Sequence, residues 1–333
     1  MPAAHPPAVH GAAWESNPPG AGDAAPLTAL KAARATGPRP LRVAGYEPET
    51  STHPVPPASC GVPPRLGPSL TMAHRSAPAR VVAVTQDDPF FTGAFFRTFL
   101  AAADRRRVCL DEIVLLPNFG ESRAALLRRM AALYGPVGVG RLAVRYGWAQ
   151  GRELLGTPRS VEAVATRHGV PVRVLDTIND QRYLRTLAER RIDVLLSVAA
   201  PEIFRAAALT STPHVLNVHN GRLPDFRGML PTFWALHRGD DEIVVTVHEM
   251  AEGLAAGRVV AEFPVAVSEG ESQFSVGVRA KLVAGERVAR LLGTLDTPAW
   301  PKPHAIDPGA GSYHGFPGRR EARELRAVGR RLL

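Results

Sequence analysis

The chain has 333 residues, 45% hydrophobic and 21% charged, with a formal net charge of +9, a balance that suits a soluble globular protein of one or two domains. No run approaches the roughly 18 uncharged apolar residues of a membrane span, and no apolar stretch near the N-terminus resembles a signal peptide, so the expected compartment is the cytoplasm and no membrane partner is expected. Cys60 and Cys109, the only cysteines, are too few for a disulfide framework or a four-thiolate metal site. The positive charge raises the question of a polyanion partner. Lys31, Lys281 and Lys302 are the only lysines, however, and the arginines are scattered except at Arg105-Arg106-Arg107 and in the C-terminal tail. They are not interleaved with aromatics, so nucleic acid is not the expected partner.

Residues 1–77 are dominated by Pro, Ala, Gly and Ser and show little apolar periodicity. Such a segment buries too little surface to offset its ordering entropy and is expected to be disordered. Met72 stands just before the first convincing strand and is an alternative start of translation. Order is expected from Arg80-Val81-Val82-Ala83-Val84-Thr85, an apolar run of buried-strand type. Asp88 and Pro89 then suit the N-cap and first position of a helix running from Phe90 to Ala103. Glu112 to Pro117 is a second strand. Ser122 to Tyr134 reads as an amphipathic helix with Leu126, Leu127, Met130 and Leu133 on its inner face. Gly135-Pro136 breaks it, and a further helix is expected from Val137 to Leu155.

The glycines at 135, 138 and 140 follow no strand and lack the downstream acidic residue of a dinucleotide fingerprint. A helix from Ser160 to His168 should end at Gly169. A strand follows over Val170 to Leu175, and then a helix capped by Asn179. Asp193 to Ala199 is an almost wholly apolar strand, the pattern of a parallel strand covered on both faces. A helix is expected over Ile203 to Leu209. Next come the strand Val215 to Val218, a short helix at Thr232 to His237, strands at Glu242 to Glu249 and Arg258 to Val267, and a helix over Gln273 to Leu292. Strands alternating with helices imply an α/β fold: an open, mainly parallel Rossmann-like sheet with helices on both faces. Three segments are expected: 1–77 disordered, 78–293 the catalytic domain, and 294–333 a Pro/Gly-rich linker with a basic tail from Gly318.

The chemistry concentrates at Asn217 and His219, two residues apart at a strand end and so on one side, about 7 Å apart. Open α/β sheets place their ligands at that edge. The stretch Asn217-Val-His219-Asn-Gly221-Arg-Leu223-Pro224-Asp-Phe-Arg227-Gly228 resembles the Asn-x-His-x-x-x-Leu-Pro-x-x-Arg-Gly signature of the folate-dependent formyltransferases. The flanks Pro231 to Leu236 and Val245 to Gly257 are similar to the segments that follow in that superfamily. The resemblance implies the formyltransferase fold and transfer of a formyl group from 10-formyltetrahydrofolate to an amine. It implies an oxyanion donor at Asn217 and a proton shuttle at His219. It also implies a folate pocket that includes Ala200, Pro201 and Ile203, and backbone of Glu252, Gly253 and Leu254 against the pterin. Gly221 and Arg227 are assigned to the substrate. A positive φ at Gly221 and a loop-bracing role for Arg227 are equally compatible with their positions.

Two positions depart from the pattern, the smaller departure being at Gly221, where many members carry serine. The superfamily's third catalytic residue is an aspartate two residues before the glycine that matches Gly257, and here it is Ala255. That carboxylate would orient the imidazole. Glu249 and Glu252 lie nearby and could approach His219 or make surface pairs. His248-Glu249-Met-Ala-Glu252 lacks the second His of a zinc-helix motif, so no metal is expected. Only about forty residues follow Gly293, too few for the barrel domain that methionyl-tRNA formyltransferases carry. The expected acceptor is therefore a small-molecule primary amine, on an amino-sugar nucleotide or a specialised metabolite. The alternatives are a catalytically impaired folate- or nucleotide-binding homologue, and a methionyl-tRNA formyltransferase without the barrel.

Overall fold

The computed structural model describes residues 77–86, 88, 90–117, 123–251, 257–307 and 310–333. The expected disorder of 1–77 concerns residues that, apart from Ala77, lie outside this set. Each strand pattern read from sequence forms a strand, because a run such as Val81 to Val84 can bury every side chain only between two layers. β1 (Ala79–Gln86) pairs in parallel with β2 (Val108–Leu116), and β2 with the short β3 (Val172–Val174). On its other side β1 pairs in parallel with β4 (Val194–Val198), and β4 with β5 (His214–His219). β7 (Glu242–Glu249) then runs antiparallel to β5, and β8 (Val259–Ala266) antiparallel to β7. The order is β3-β2-β1-β4-β5-β7-β8, a mixed seven-stranded sheet with a parallel majority.

Side-chain alternation divides the core between the two faces. Val81 and Ala83 point to a cluster with Phe95, Phe96 and Phe99 of α1 (Thr92–Ala102) and with Val276, Ala284 and Val288 of α7 (Gln273–Leu292). Val82 and Val84 point to Tyr183, Leu184 and Leu187 of α4 (Gln181–Glu189). Burying a side chain of this size contributes about 1.5–3 kcal/mol, so both helical layers are energetically committed to the sheet. Close approach of α7 to α1 depends on Gly285, where a Cβ would overlap the Phe95 carbonyl oxygen and the Thr98 hydroxyl.

Several local expectations are corrected. The Ser122–Tyr134 and Val137–Leu155 patterns are two helical stretches within α2 (Arg123–Leu154), broken at the non-helical Gly135 (φ 73°, ψ 169°) as expected, but the inner face of the first differs from the one expected. Leu133 is buried, but Leu126 and Leu127 are exposed, so the inner face is rotated from the one the leucine spacing suggested. Asp180, not Asn179, caps α4, accepting from the backbone N–H of Arg182 and Tyr183. Asn179 is occupied elsewhere: its amide donates to Glu202 Oε1 at 2.8 Å and its oxygen accepts from Arg205 N at 2.8 Å. These bonds tie Asn179 to the non-helical segment 202–205, and only one turn, α5 (Ala206–Leu209), remains of the helix expected from Ile203. α1 starts at Thr92, and Asp88 caps the preceding turn by accepting from Phe90 N and Phe91 N at 2.8 and 2.6 Å. The remaining helix before the site is α3 (Val161–His168), capped by Ser160 and ended by Gly169 in a left-handed conformation. Cys60 lies outside the described residues.

Residues after Gly293 pack on the domain. Ile306 is buried with Leu223 and Val259. β9 (Ser312–His314) pairs in parallel with β6 (Phe226–Gly228) as a separate two-stranded sheet. α8 (Arg319–Ala327) buries Ala322 and Leu325 and keeps its arginines outward. The carbonyls of Arg331 and Leu332 then accept from Gln273 N and Phe274 N at 2.7 and 3.0 Å. The end of the chain thereby satisfies orphan donors at the first turn of α7.

Candidate active site

β5 ends at His219, and a loop rich in Gly and Pro carries the chain to β6 and then to α6 (Pro231–Arg238). The antiparallel neighbour β7 places His248 directly opposite Asn217. Asn217 Nδ2 lies 3.0 Å from His248 Nε2, and His248 Nδ1 lies 2.8 Å from the Glu249 carbonyl. A carbonyl only accepts, so His248 carries its proton on Nδ1 and its Nε2 is the acceptor. That fixes the Asn217 amide with nitrogen toward His248. One amide N–H is used there, and the second has no partner among the described residues.

His219 obeys the same logic. Its Nε2 lies 2.6 Å from the Phe226 carbonyl and must donate, so Nδ1 carries the bare lone pair. Burial holds the His219 pKa down, to about 4; the bond to Phe226 opposes this, and the charges of His248 and Lys281 reinforce it. The residue is half-buried, with part of its surface still open. Burial lowers His248 as well, against its bond to the Glu249 carbonyl. Lys281 on α7 is buried and pushed down to about 8 by desolvation, partly offset by the charge of Asp88. The site therefore presents two neutral imidazoles at neutral pH, one amide donor and one imidazole acceptor.

The other residues singled out from sequence fall into three groups. Gly221 is buried, and a Cβ there would meet Pro231 Cβ at 2.5 Å and His219 Nε2 at 3.3 Å. Its φ is not positive, which corrects that expectation: crowding against Pro231, not backbone freedom, opposes a side chain. Arg227 donates to the Pro224 carbonyl (3.4 Å) and to the Ala310 carbonyl, tying the loop to the C-terminal segment. Asn220 Oδ1, in the same loop, is buried with no hydrogen-bond partner among the described residues.

Ala200 and Pro201 are half-buried and Ile203 is exposed, in the segment that leaves β4 at the same edge of the sheet. Glu202 braces that segment by accepting from Ile178 N at 2.9 Å and from the Thr177 hydroxyl. Glu252, Gly253, Leu254 and Ala255 lie outside the described residues. Glu249 is paired with Arg258 by two bonds of 2.6 and 2.9 Å, which directs its carboxylate to the surface and not to His219. The sequence reading missed the role of His248. Strand register could have found it, because an antiparallel β5–β7 pair sets residue 248 against 217.

The family described as "Formyl transferase" matches residues 149–290, less than half of the chain. Methionyl-tRNA formyltransferase from Anaeromyxobacter dehalogenans is 31% identical over 141 residues, covering 42% of this chain and 45% of that protein. This chain thus spans about 45% of the length of that curated relative. Among solved structures, a sugar N-formyltransferase from a Shewanella species has a TM-score of 0.47 at 15% identity, covering 75% of this chain and 87% of that one. Phosphoribosylglycinamide formyltransferase from Anaplasma phagocytophilum has a TM-score of 0.46 at 16% identity, with 71% and 98% coverage. The sequence similarity is to the formyltransferase superfamily at large, at low to moderate identity, and not to one of its members.

Proposed function

We propose that this protein transfers a formyl group from 10-formyltetrahydrofolate to a primary amine of a small molecule. The observation that carries the proposal is the pair of unspent groups at the end of β5: one N–H of the Asn217 amide and the bare Nδ1 of His219. The family match spans both residues. The amine lone pair attacks the formyl carbon, and the carbonyl electrons move onto oxygen. Asn217 donates to that oxyanion, an interaction commonly worth about 100- to 1,000-fold in rate. The nitrogen that attacked loses its proton to His219 Nδ1. On collapse the bond between carbon and the folate N10 breaks, and the proton passes from Nδ1 to N10. The products are a formamide and tetrahydrofolate. A neutral imidazole is the form that can accept the first proton, and burial keeps His219 neutral.

In this reading Ala200, Pro201, Ile203 and the backbone of 252–254 hold the folate, and Gly221 leaves room beside His219. Arg227, with its guanidinium on backbone carbonyls, shapes the substrate loop. An amino-sugar nucleotide or specialised-metabolite amine is the proposed acceptor, in the cytoplasm. A second reading, a folate-binding homologue with faded catalysis, is favoured by Ala255 and by the pairing of Glu249 with Arg258, which commits the Glu249 carboxylate away from His219. The test is a formyl-transfer assay with 10-formyltetrahydrofolate and a panel of amines, run on the parent, Asn217→Ala and Ala255→Asp. Parent activity that is lost in Asn217→Ala supports the enzyme. Activity only in Ala255→Asp, or folate binding without turnover in either, selects the second reading.

A further inference from the structure

The orientation of His219 comes from a surprising direction. Its Nε2–H donates at 2.6 Å to the carbonyl of Phe226, a residue of the three-residue strand β6. A strand that short has little stability of its own. One of its edges is turned to His219, and the other is bonded to β9 in the register Phe226↔Ser312, Arg227↔Tyr313, Gly228↔His314. The grip extends beyond the ladder. Ser312 donates through N and Oγ to the Asp225 carbonyl at 3.3 and 2.6 Å. Met229 N donates to the His314 carbonyl at 2.8 Å, and Trp234 Nε1 to the Gly315 carbonyl at 3.1 Å. The His314 ring stacks on Trp234 with centroids 4.5 Å apart and planes 21° from parallel. The Arg227 guanidinium adds a bond to Ala310.

Two glycines admit this approach. Gly228 (φ 96°) would place a Cβ onto the His314 carbonyl oxygen, and Gly311 (φ 76°) onto the Pro224 carbonyl oxygen. Both also hold a left-handed conformation that side chains resist.

We infer that the C-terminal strand β9 is the positioning element for His219: it fixes β6 so that the Phe226 carbonyl, in place of a carboxylate side chain, holds the imidazole with Nε2 protonated and Nδ1 bare. Ser312, Gly228 and Gly311 are the positioning residues, and none of them meets the reacting atoms. A carbonyl that orients a histidine does part of what a second-sphere carboxylate does: it selects the tautomer and the ring angle. It adds no negative charge, so it leaves the imidazole neutral where a carboxylate would favour the imidazolium. The catalytic consequence rests on the formyl-transfer reading. The structural claim does not.

The test is long-range ¹H–¹⁵N correlation of the full chain labelled with ¹⁵N-histidine and ¹⁵N-tryptophan, at pH 7, with His219 assigned by its loss in His219→Gln and Trp234 by its loss in Trp234→Phe. The parent should show the Nε2–H tautomer. In Gly228→Ala, and in the double variant Gly228→Ala/Gly311→Ala, the Trp234 indole N–H signal should shift as β9 detaches. The His219 signals should then move toward a tautomer mixture. Ser312→Ala, which spares the ladder, should give the same shifts in smaller measure and keeps the test answerable if the glycine variants do not fold.

An Nδ1–H tautomer in the parent would overturn the inference. So would a displaced Trp234 signal with unchanged His219 shifts, or a clasp still closed in a folded double variant. Because the readout needs neither folate nor amine, a protein that turns nothing over still answers it. Where turnover is measurable, kcat of Gly228→Ala should fall roughly 10- to 100-fold with KM little changed, the scale of lost outer-shell support.

Discussion

Two buried polar clusters in this protein differ in one respect, and the difference separates structure from chemistry. At Glu112 on β2 both carboxylate oxygens are engaged. Arg173 Nε lies 2.7 Å from Oε1, while Tyr183 Oη and Arg190 Nη1 each lie 2.8 Å from Oε2. Burial alone would raise the Glu112 pKa, and bonds from Arg190, Tyr183 and Arg173 overturn that and lower it. At Asn217 and His219 the cluster is left incomplete: one amide N–H and one imidazole nitrogen remain unspent among the described residues. A saturated network ties the sheet to α4, and an unsaturated one at the edge of the sheet can bind and react.

The comparison breaks if the two clusters respond alike to mutation. The largest effect on stability is expected from Glu112→Leu, which takes the shared carboxylate from Arg173, Tyr183 and Arg190, leaving Arg190 only Asp111 at 3.9 Å, and should cost about 3–5 kcal/mol in urea denaturation. Its kcat/KM per folded molecule should be unchanged. Asn217→Ala should do the reverse: kcat/KM for formyl transfer should fall about 100- to 1,000-fold, with a small change in urea midpoint. His248→Ala removes only the group that orients the amide and should cost roughly 10- to 100-fold in kcat, with KM little changed. Arg258→Ala, at an exposed pair with Glu249, should change stability by less than about 1 kcal/mol and activity hardly at all.

Acid sharpens the contrast without mutation. His219 has an ordinary pKa of 6.5 in the unfolded chain and is held near 4 when folded. Between those values the unfolded chain binds a proton that the folded one does not, so stability should fall as pH drops through that window. His248 is shifted in the same direction. The urea midpoint should therefore be lower at pH 5 than at pH 7. The acid limb of kcat/KM should lie near pH 4 and not near 6.5, because the base stays neutral until then. A limb near 6.5 would mean that the imidazole is solvated in the working enzyme.

Much of the framework was legible because it depends on local pattern. Continuous apolar runs announced strands buried on both faces, and Gly135 and Gly169 marked a break and a stop by their own backbone preferences. Where neighbours far along the chain intervened, the reading failed. Asn179 was a plausible cap by residue type, but its amide is drawn to Glu202 and Arg205. Leu126 and Leu127 suggested an inner face that the kinked helix does not present. Gly221 looked like a turn glycine, and the reason for it is Pro231 and His219 packed against it.

By itself, the sequence determined the mainly parallel α/β framework, the strand end that carries Asn217 and His219, and the alanine at 255, because residue type and short-range periodicity carry that information. Tertiary structure decided which groups at that end remain free. His248 reaches Asn217 from 31 residues away across an antiparallel pair, and Arg227 reaches Ala310 across 83. Hydrogen bonds between such distant positions follow from strand register and close backbone approach, and the one from His248 sets which way the Asn217 amide points.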